Sequence, residues 1–188
     1  GRGEVPGLGL SVATWNVNSI RARMSGVLSW IDSRRPDVLL LQETKVEDSL
    51  FPDGPFRERG FDVAFSGQKT LNGVAVLSRS KLDVVRSGLA SGFLDDQKRV
   101  IVARTAGLRV MSVYVPNGGD PSLERFGDKL AFLGELATEA SEGSRGGPFL
   151  MAGDFNVAPG DDDVYDPEAL DGHICFHPEE RSRFRGIL

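Results

Sequence analysis

The residues with the clearest capacity for chemistry are Asp154 and Asn156, which follow the apolar run 148–152. A short apolar run that ends in polar and turn-forming residues is typical of a buried strand that delivers side chains at its carboxyl end. If the strand continues through both residues, their side chains point to the same side. A carboxylate beside an amide suits a metal ion, a water molecule and a phosphate. A plain turn explains the segment Gly153–Asn156 equally well when it is considered alone.

Further polar side chains stand at the ends of other predicted strands. Glu43 is the last residue of the run 37–43, which is apolar enough to be a strand buried on both faces. A glutamate at the exit of such a strand is well placed to bind a hard cation, although it is also able to cap a loop. Asn16 closes the predicted strand 10–17, where an amide is ordinarily a turn residue. Tyr114, near the end of another predicted strand, is either a core group or a hydrogen-bond donor to a phosphate.

The elements that must position these side chains alternate in type along the chain. Apolar residues at helical spacing predict helices over 20–33 and 121–142, the second with a core-only apolar stripe, and another helix begins at Pro178. Asn72-Gly73 is a strong hairpin signal. The remaining predicted strands are 61–66, 74–77, 82–86, 99–105, 108–115 and the run from Pro148. Strands outnumber helices, so the pattern favours one α+β or layered α/β domain over residues 1–188.

Composition and charge limit the class of protein to which the chain can belong. The chain has 188 residues, of which 40% are hydrophobic and 26% charged, as in ordinary globular domains. A net charge of −5 gives no general signal for nucleic acid, but a local basic rim and a bound cation can offset a phosphate's charge. The single cysteine, Cys175, excludes a disulfide framework and a Cys-based metal site. Residues 1–9, interpreted as a flexible tail, have no apolar signal region, and no run is long enough to span a membrane; a cytoplasmic protein fits.

Six blocks of sequence stand out: Thr14–Arg23, Pro36–Lys45, Gly67–Lys69 with Gly73–Ala75, Val113–Gly118, Gly153–Pro159 and Pro178–Arg181. In this order and at these intervals they resemble the exonuclease III family of DNA-repair nucleases, and the resemblance covers nearly the whole chain. Gln42–Lys45 together with Gly153–Asn156 is similar to the wider superfamily of metal-dependent phosphodiesterases. Asn16–Arg23 and Pro178–Arg181 favour the repair branch.

The resemblance implies a DNase I-like four-layered α-β-β-α sandwich, with two β-sheets face to face and helices outside. It also implies Mg²⁺-dependent phosphodiester cleavage, with Mn²⁺ as an alternative ion, as in base excision repair. The substrate is double-stranded DNA, cut 5′ to abasic sites and degraded from 3′ ends.

The same resemblance implies roles for five residues. Glu43 binds the metal with Asn16 close by, and Tyr114 contacts the scissile phosphate. Asp154 orients or deprotonates the attacking water, and Asn156 steadies the phosphate and the transition state. The predicted metal ligands are Asn16, Glu43, Asp154 and Asn156. Basic residues near these blocks are predicted to contact DNA phosphates, and each is equally explained as a solvated surface charge: Arg21, Arg23, Lys45, Lys69 and Arg99.

The family's pattern also includes motifs that this sequence does not contain. These are an Asp in a later strand, a Trp-rich segment and a terminal Ser-Asp-His. The two histidines, His173 and His177, are interpreted as loop residues. We therefore expect either a piece of a longer or split protein, completed by a further segment or a partner chain, or a truncated chain with little activity. Two alternative functions stay open: a phosphodiesterase or phosphatase of the same superfamily with another substrate, and a non-catalytic DNA-binding or assembly fragment.

Overall fold

The computed structural model describes residues 2–5 and 9–188, which fall into two compact units. The first unit comprises the chain up to residue 88 together with 94–114 and 147–154, and the second comprises 89–93, 115–146 and 155–188. No helix within the described residues is long and apolar enough to cross a membrane. The single-domain organisation expected from the sequence stays a prediction.

The strands that the structure describes all belong to the first unit. They are β1 Arg2–Val5, β2 Leu10–Asn16, β3 Val38–Gln42, β4 Asp62–Ser66, β5 Val74–Ser78, β6 Asp83–Ser87, β7 Val100–Thr105, β8 Leu108–Tyr114 and β9 Phe149–Asp154. Sheet A has the strand order β1-β2-β3-β5-β4, and sheet B has the order β6-β7-β8-β9. The α-helices are α1 Ile20–Arg34, α2 Gly54–Arg57, α3 Glu124–Arg145, α4 Pro167–Leu170 and α5 Pro178–Arg185.

Strand β3 is the middle strand of sheet A and explains why the first unit is layered. Leu39 and Leu41 pack on one face with the apolar side of α1, whereas Val38 and Leu40 pack on the other face against sheet B. Successive side chains of a strand point to opposite faces, so a continuous apolar run needs cover on both sides. The prediction of a strand buried on both faces is confirmed, and three layers follow: α1, sheet A and sheet B.

A small polar cluster interrupts the apolar layer between the two sheets. Gln42 is 1% exposed, and its Nε2 donates to Thr14 Oγ1 at 3.0 Å and to Ser112 Oγ at 3.2 Å. The Ser112 hydroxyl donates in turn to the backbone carbonyl of Leu41 at 3.3 Å. An unpaired buried donor would cost about 1–3 kcal/mol, so these bonds favour one placement of sheet B on sheet A.

The hairpin predicted at Asn72-Gly73 is confirmed. β4 and β5 pair antiparallel with Ser66 opposite Val74, so residues 67–73 connect the two predicted strands. Asn72 and Gly73 have positive φ values of 47° and 91°, the backbone conformation that the Asn-Gly signal predicts.

The flexible tail predicted for residues 1–9 stays a prediction, and residues 2–5 within it form strand β1. β1 pairs antiparallel with β2, with Gly3 opposite Val12 and Glu4 opposite Ser11. Pairing of this kind uses backbone groups alone, so a strand at the edge of a sheet does not require an alternating apolar pattern. Residues 1 and 6–8 lie outside the described part of the chain.

The second unit contains helices α3, α4 and α5. The helix predicted over 121–142 begins later, at Glu124, because Asp120 first accepts hydrogen bonds from the backbone and hydroxyl of Ser122 in a turn. The start predicted at Pro178 is confirmed by α5.

The apolar stripe of α3 was predicted to be core only, and this is wrong at Leu123, which is exposed and lies before the helix. The buried face of the helix also carries the charged residues Lys129 and Glu139, which the predicted stripe did not include. Hydropathy assigns a lysine and a glutamate to solvent, but a helix buries charges where a partner satisfies them.

Strand β9 also differs from its prediction as a buried strand, because its residues are only half-buried. Among the described strands it is the last of sheet B and pairs with β8 alone. A strand at a sheet edge has a neighbour on one side only and is therefore less covered.

Gly153 allows β9 to lie close to β8. A Cβ at this position would overlap the backbone carbonyl oxygen of Val113. We expect Gly153→Ala to lower the free energy of unfolding by about 2–3 kcal/mol, because backbone rather than a flexible side chain must move. Urea unfolding measured by circular dichroism checks this prediction.

Gly26 provides the matched control in the same unit. It lies in α1, and a Cβ there would meet nothing within 4 Å. Gly26→Ala should raise the free energy of unfolding by about 0.5–1 kcal/mol through helix propensity. A Gly153→Ala protein as stable as the unmodified chain would show that β8 and β9 tolerate a wider spacing.

Candidate active site

The candidate site lies where two parallel strand pairs of the first unit end. Asn16 is the last residue of β2 and stands opposite Gln42 of the parallel strand β3. Tyr114 is the last residue of β8 and stands opposite Asp154, the last residue of the parallel strand β9. Parallel strands end at the same edge of a sheet, so the residues that complete them are brought together.

The amide of Asn16 joins the two carboxylates of the site. Its Nδ2 donates to Glu43 Oε1 at 2.8 Å and to Asp154 Oδ2 at 2.8 Å. An amide nitrogen carries two N–H groups, so each carboxylate receives one of them. The Asn16 carbonyl accepts a hydrogen bond from the backbone N–H of Asn18 at 3.1 Å, which holds the side chain in this orientation. Residues from both sheets thereby form one acidic cluster.

Glu43 carries its charge in a half-buried position. The strand predicted to include it ends one residue earlier, and Glu43 itself has a left-handed φ of 53°. Burial alone would raise its pKa, but hydrogen bonds from Asn16, Lys45 and Tyr114 outweigh this and hold the pKa below its ordinary value. Lys45 Nζ lies 3.0 Å from Glu43 Oε2 and also donates to Asn18 Oδ1 at 2.5 Å. Glu43 is therefore an ionised carboxylate at neutral pH.

Tyr114 presents its hydroxyl to the same carboxylate. Burial, and then its hydrogen bond to Glu43, raise the pKa of Tyr114 to about 12, so the phenol is a proton donor at neutral pH. Arg99 lies over the ring with Cζ at 4.8 Å from the ring centroid and donates from Nη1 to the Tyr114 carbonyl at 3.2 Å. Gln97 accepts from Arg99 Nε at 2.7 Å. Arg99 therefore contacts the backbone carbonyl and the ring face of Tyr114, and Glu43 accepts a hydrogen bond from its hydroxyl.

The donor set of this cluster fits a hard divalent cation. Glu43 and Asp154 supply carboxylate oxygens within reach of one amide, and Mg²⁺ is commonly bound through one or two carboxylates together with waters and substrate phosphates. Across residues 2–5 and 9–188 no group of three or more His, Cys, Asp or Glu side chains is placed to hold a metal. Carboxylate and amide oxygens are ligands that hard cations prefer.

Asn156 departs from the geometry expected for it. β9 ends at Asp154, and Asn156 has a left-handed φ of 49°, so the two residues are not successive positions on one strand face as predicted. Its Nδ2 donates to the carbonyl of Val115 at 2.9 Å. Asn156 belongs to the second unit, whereas Asn16, Glu43, Tyr114 and Asp154 belong to the first. The predicted metal role of Asn156 stays a prediction.

The five basic residues predicted to contact DNA divide into two groups. Lys45 and Arg99 are half-buried in the cluster itself, on Glu43 and on Tyr114. The other three are exposed, two of them in the first turn of α1: Arg21, Arg23 and Lys69. The N-terminus of α1 adjoins the Glu43 segment, since the backbone N–H of Ser19 donates to the Glu43 carbonyl at 2.8 Å.

Both histidines lie in loops, and two buried charged residues were not predicted from the sequence. His173 is exposed in a turn, and His177 caps α5 by accepting the backbone N–H of Glu179 on Nδ1 at 3.2 Å. The residues missed are Lys129 and Glu180, both fully buried and paired with each other. A lysine at a core position of the α3 stripe was a signal for them, because an unpaired charge is not buried.

Comparison with known proteins agrees with the predicted resemblance. The profile of the Endonuclease/Exonuclease/phosphatase family matches residues 13–186. Exodeoxyribonuclease III of Haemophilus influenzae is 33% identical over 186 residues, which cover 93% of this chain and 70% of the relative. A DNA-(apurinic or apyrimidinic site) endonuclease of Dictyostelium discoideum is 28% identical over 191 residues, 95% of this chain and 50% of the relative.

Solved structures are similar in fold as well. An AP endonuclease from Archaeoglobus fulgidus has a TM-score of 0.90 and 40% identity, over 95% of this chain and 69% of its own. The 3′ phosphatase NExo from Neisseria, bound to a product DNA hairpin, has a TM-score of 0.90 and 38% identity, over 95% of this chain and 70% of its own. Two sheets with an acidic cluster at their strand ends define an enzyme of the DNase I-like α/β class, as predicted. The chain belongs to the Endonuclease/Exonuclease/phosphatase family, and its relatives are exonuclease III-type DNA-repair nucleases.

The raised pKa of Tyr114 can be measured directly, because the chain has only two tyrosines. In a Tyr165→Phe protein we expect tyrosinate absorbance to appear with a midpoint near pH 12, instead of near 10. Glu43→Gln in that background should lower the midpoint, because the anionic acceptor is lost, but not to 10, because burial remains. The folded state binds the extra proton, so its contribution to stability is lost as pH rises from about 10 to about 12.

Tyr165 gives the reference for this titration. It is 91% exposed, and a Tyr114→Phe protein reports its absorbance alone. Circular dichroism at each pH shows that the chain stays folded. Identical curves for the two single-tyrosine proteins would contradict the placement of the Tyr114 hydroxyl on Glu43.

Proposed function

We propose that the chain is a Mg²⁺-dependent DNA-repair phosphodiesterase, with AP endonuclease activity 5′ to abasic sites and 3′-to-5′ exonuclease activity on double-stranded DNA. The observation that carries the proposal is the cluster in which the Asn16 amide joins Glu43 to Asp154 and the Tyr114 hydroxyl donates to Glu43. The named activities of the relatives support it. The chain spans about 70% of the Haemophilus influenzae relative, so the activity of the whole enzyme is itself part of the proposal.

In this proposal the attacking water is prepared by Asp154. Hydrolysis forms a bond between the water oxygen and phosphorus, breaks the bond from phosphorus to the departing DNA oxygen, and releases one proton from the water. The Asp154 carboxylate accepts that proton as general base. Asn16 orients the Asp154 carboxylate by donating to Oδ2. The departing oxygen is protonated from solvent.

Glu43, with Asn16 and Asp154, would hold the divalent cation. A divalent cation held there would supply neutralisation of the negative charge that develops on the phosphate. Ionised Glu43 is suited to this role because its pKa lies below its ordinary value, through hydrogen bonds that outweigh its burial. Tyr114 stays protonated at neutral pH, and its single O–H proton would turn from Glu43 to a scissile phosphate oxygen that approaches it. Asn156 steadies the phosphate through its side-chain amide.

DNA binding is assigned to the basic residues around this cluster. Arg21 and Arg23 extend from the first turn of α1, whose backbone adjoins Glu43, and Lys69 is exposed on the 67–73 loop. Lys45 forms an ion pair with Glu43, and Arg99 lies over the Tyr114 ring, where it is attracted electrostatically to Glu43. Phosphate contacts of this type make DNA affinity fall with salt. The cytoplasmic localisation predicted from the sequence stays a prediction.

One relative favours a second substrate within the same chemistry. The Neisseria protein, 38% identical, is named a 3′ phosphatase. Hydrolysis of a terminal 3′ phosphate uses the same water, carboxylate base and charge neutralisation as cleavage of a phosphodiester. The binding-only fragment is a different class of protein, and it would bind DNA without changing it.

The test is incubation of the chain with three labelled duplexes in Mg²⁺ and, in parallel, in EDTA. One duplex has a single abasic site, one a recessed 3′ hydroxyl and one a 3′ phosphate. A Mg²⁺-dependent nick at the abasic site, with shortening of the second duplex, supports the proposal. Conversion of the 3′-phosphate duplex alone supports the phosphatase function. Salt-dependent binding with all three duplexes intact, at every chain concentration, would reject both activities for this chain.

Asp154→Asn separates chemistry from binding. We expect cleavage to fall by about 10²-fold or more, because an amide is not a base at neutral pH. The variant keeps an acceptor oxygen for the Asn16 amide and removes one negative charge, so DNA affinity should be unchanged or slightly higher. Cleavage is followed on a denaturing gel and affinity by fluorescence anisotropy.

Asp83→Asn is the control for a lost carboxylate. Asp83 is exposed on β6, where it pairs only with exposed Lys81 among the ion pairs described. Its substitution should leave both cleavage and affinity as they are. Full cleavage by the Asp154→Asn protein would remove Asp154 from the role of general base.

A further inference from the structure

Two opposite charges are completely buried in the second unit. Lys129 of α3 and Glu180 of α5 are each 0% exposed and form an ion pair through Nζ and Oε1. Burying two charges costs desolvation energy that their attraction does not reliably repay, so an apolar pair of the same volume often stabilises a fold equally well. The pair therefore calls for an explanation beyond stability.

Lys129 also bonds two backbone carbonyls. Its Nζ donates to the carbonyl of Asn156 at 2.7 Å and to the carbonyl of Asn117 at 3.1 Å, and Cys175 Sγ lies 4.0 Å away. An ammonium has three protons, and Glu180, Asn156 and Asn117 provide three oxygen acceptors for them. Lys129 thereby connects the segment that follows Tyr114 to the segment that follows Asp154.

The backbone of Asn156 is in the left-handed region, with a φ of 49°. This conformation costs most residues with a Cβ about 1–2 kcal/mol, and asparagine is one of the few that adopt it more readily. The carbonyl is held by Lys129, and the side-chain amide donates to the carbonyl of Val115 at 2.9 Å. A strained conformation persists where several bonds determine it together, and strain of this kind is concentrated at functional sites.

The surrounding sequence makes room for Lys129 and fixes it. Gly118 has a φ of 83°, and a Cβ there would lie 2.8 Å from Lys129 Cδ. Glu180 is the third residue of α5, and its Oε2 accepts the backbone N–H of His177 at 3.1 Å in a capping box. One carboxylate oxygen thus fixes the helix start while the other holds the lysine.

We propose that Lys129 is a positioning residue for Asn156, and that Glu180 holds Lys129 in place for that purpose. The inference rests on the proposed function, in which Asn156 steadies the phosphate. Without the lysine, the Asn156 carbonyl loses its charged donor, and the backbone relaxes from the left-handed region. The side-chain amide then no longer points where the transition state needs it, and a displacement of about 1 Å is enough to cost about 10²-fold in rate.

The test compares Lys129→Met with the double variant Lys129→Met/Glu180→Gln. The single variant leaves an uncompensated buried carboxylate and should have a lower unfolding midpoint. The double variant removes both charges, keeps an acceptor for the capping box and should recover most of that midpoint. Its kcat on the abasic duplex should nevertheless fall about 10- to 100-fold with KM within about threefold, because the lost interaction acts in the transition state.

A further substitution at Asn156 distinguishes a positioning role of Lys129 from a general loss of stability. If Lys129 acts through Asn156, then adding Asn156→Ala to the double variant should cause no loss beyond that of Asn156→Ala alone. Wild-type kcat in the double variant, or fully additive losses, would overturn the proposal and leave the ion pair as a structural feature only.

Glu139→Ala is the matched control on the same helix. Glu139 is buried, and its Oε1 accepts the backbone N–H of Ala90 at 2.8 Å. Its loss should lower the unfolding midpoint as Lys129→Met does, but leave kcat unchanged. A loss of kcat here equal to that of the double variant would show that destabilisation alone reduces activity.

A readout without catalysis separates this inference from the proposed function. The side-chain amide resonances of Asn156, assigned by its substitution, should shift in the Lys129→Met/Glu180→Gln protein and stay in place in Glu139→Ala. An inactive chain with a shifted Asn156 amide would reject the proposed function but retain the positioning role. An unmoved Asn156 amide in the double variant would overturn the positioning role, whether or not the chain cleaves DNA.

Discussion

The site depends on one neutral amide that donates to two carboxylates. Glu43 and Asp154 would repel each other if they met alone, and the two N–H groups of Asn16 give each an attractive partner instead. The three residues are far apart in sequence, because the bonded pairs are separated by 27 and 138 positions. They meet only because sheets A and B end at the same place. The hydrogen bond from Gln42 to Ser112, close to the carboxyl ends of the strands, favours this placement of sheet B on sheet A.

Several residues that follow the strand ends near the site have left-handed backbone conformations, and hydrogen bonds hold them in place. Glu43, Lys45 and Lys98 all have φ values between 51° and 53°. Each such residue costs about 1–2 kcal/mol, so the conformation requires bonds that enforce it. Three backbone bonds between neighbouring segments supply them: Ser19 N to Glu43 O at 2.8 Å, Lys45 N to Asn72 O at 2.9 Å, and Gly73 N to Lys98 O at 3.1 Å. Charged side chains are thereby fixed relative to one another before any substrate binds.

Local sequence predicts the parts of this site, but not how they are arranged. The run before Glu43 identifies a buried strand, and hydropathy places the carboxylate at its exit. The contact between Asn16 and Asp154 leaves no local pattern, and only the family resemblance predicted it. The left-handed turn at Asn156 was missed for a related reason: strand periodicity describes side chains only as long as the strand continues, and β9 ends two residues earlier. The half-burial of β9 was missed because an edge strand and a central strand can share the same apolar run.

Buried charges show where hydropathy misleads most. Lys129 stands on the buried face of α3, yet its charge places it in solvent on any hydropathy scale, and its partner Glu180 is 51 residues away. The helix dipole accounts for acidic residues in a first turn, as in the Pro-Glu-Glu-Arg block, but not for full burial of one of them. The capping box and the lysine account for that burial. Gly118 fits the same explanation, since it leaves space for the lysine stem. The blocks that carry the family resemblance therefore contain two kinds of residue: those proposed to contact a phosphate, and those that hold the neighbouring backbone in place.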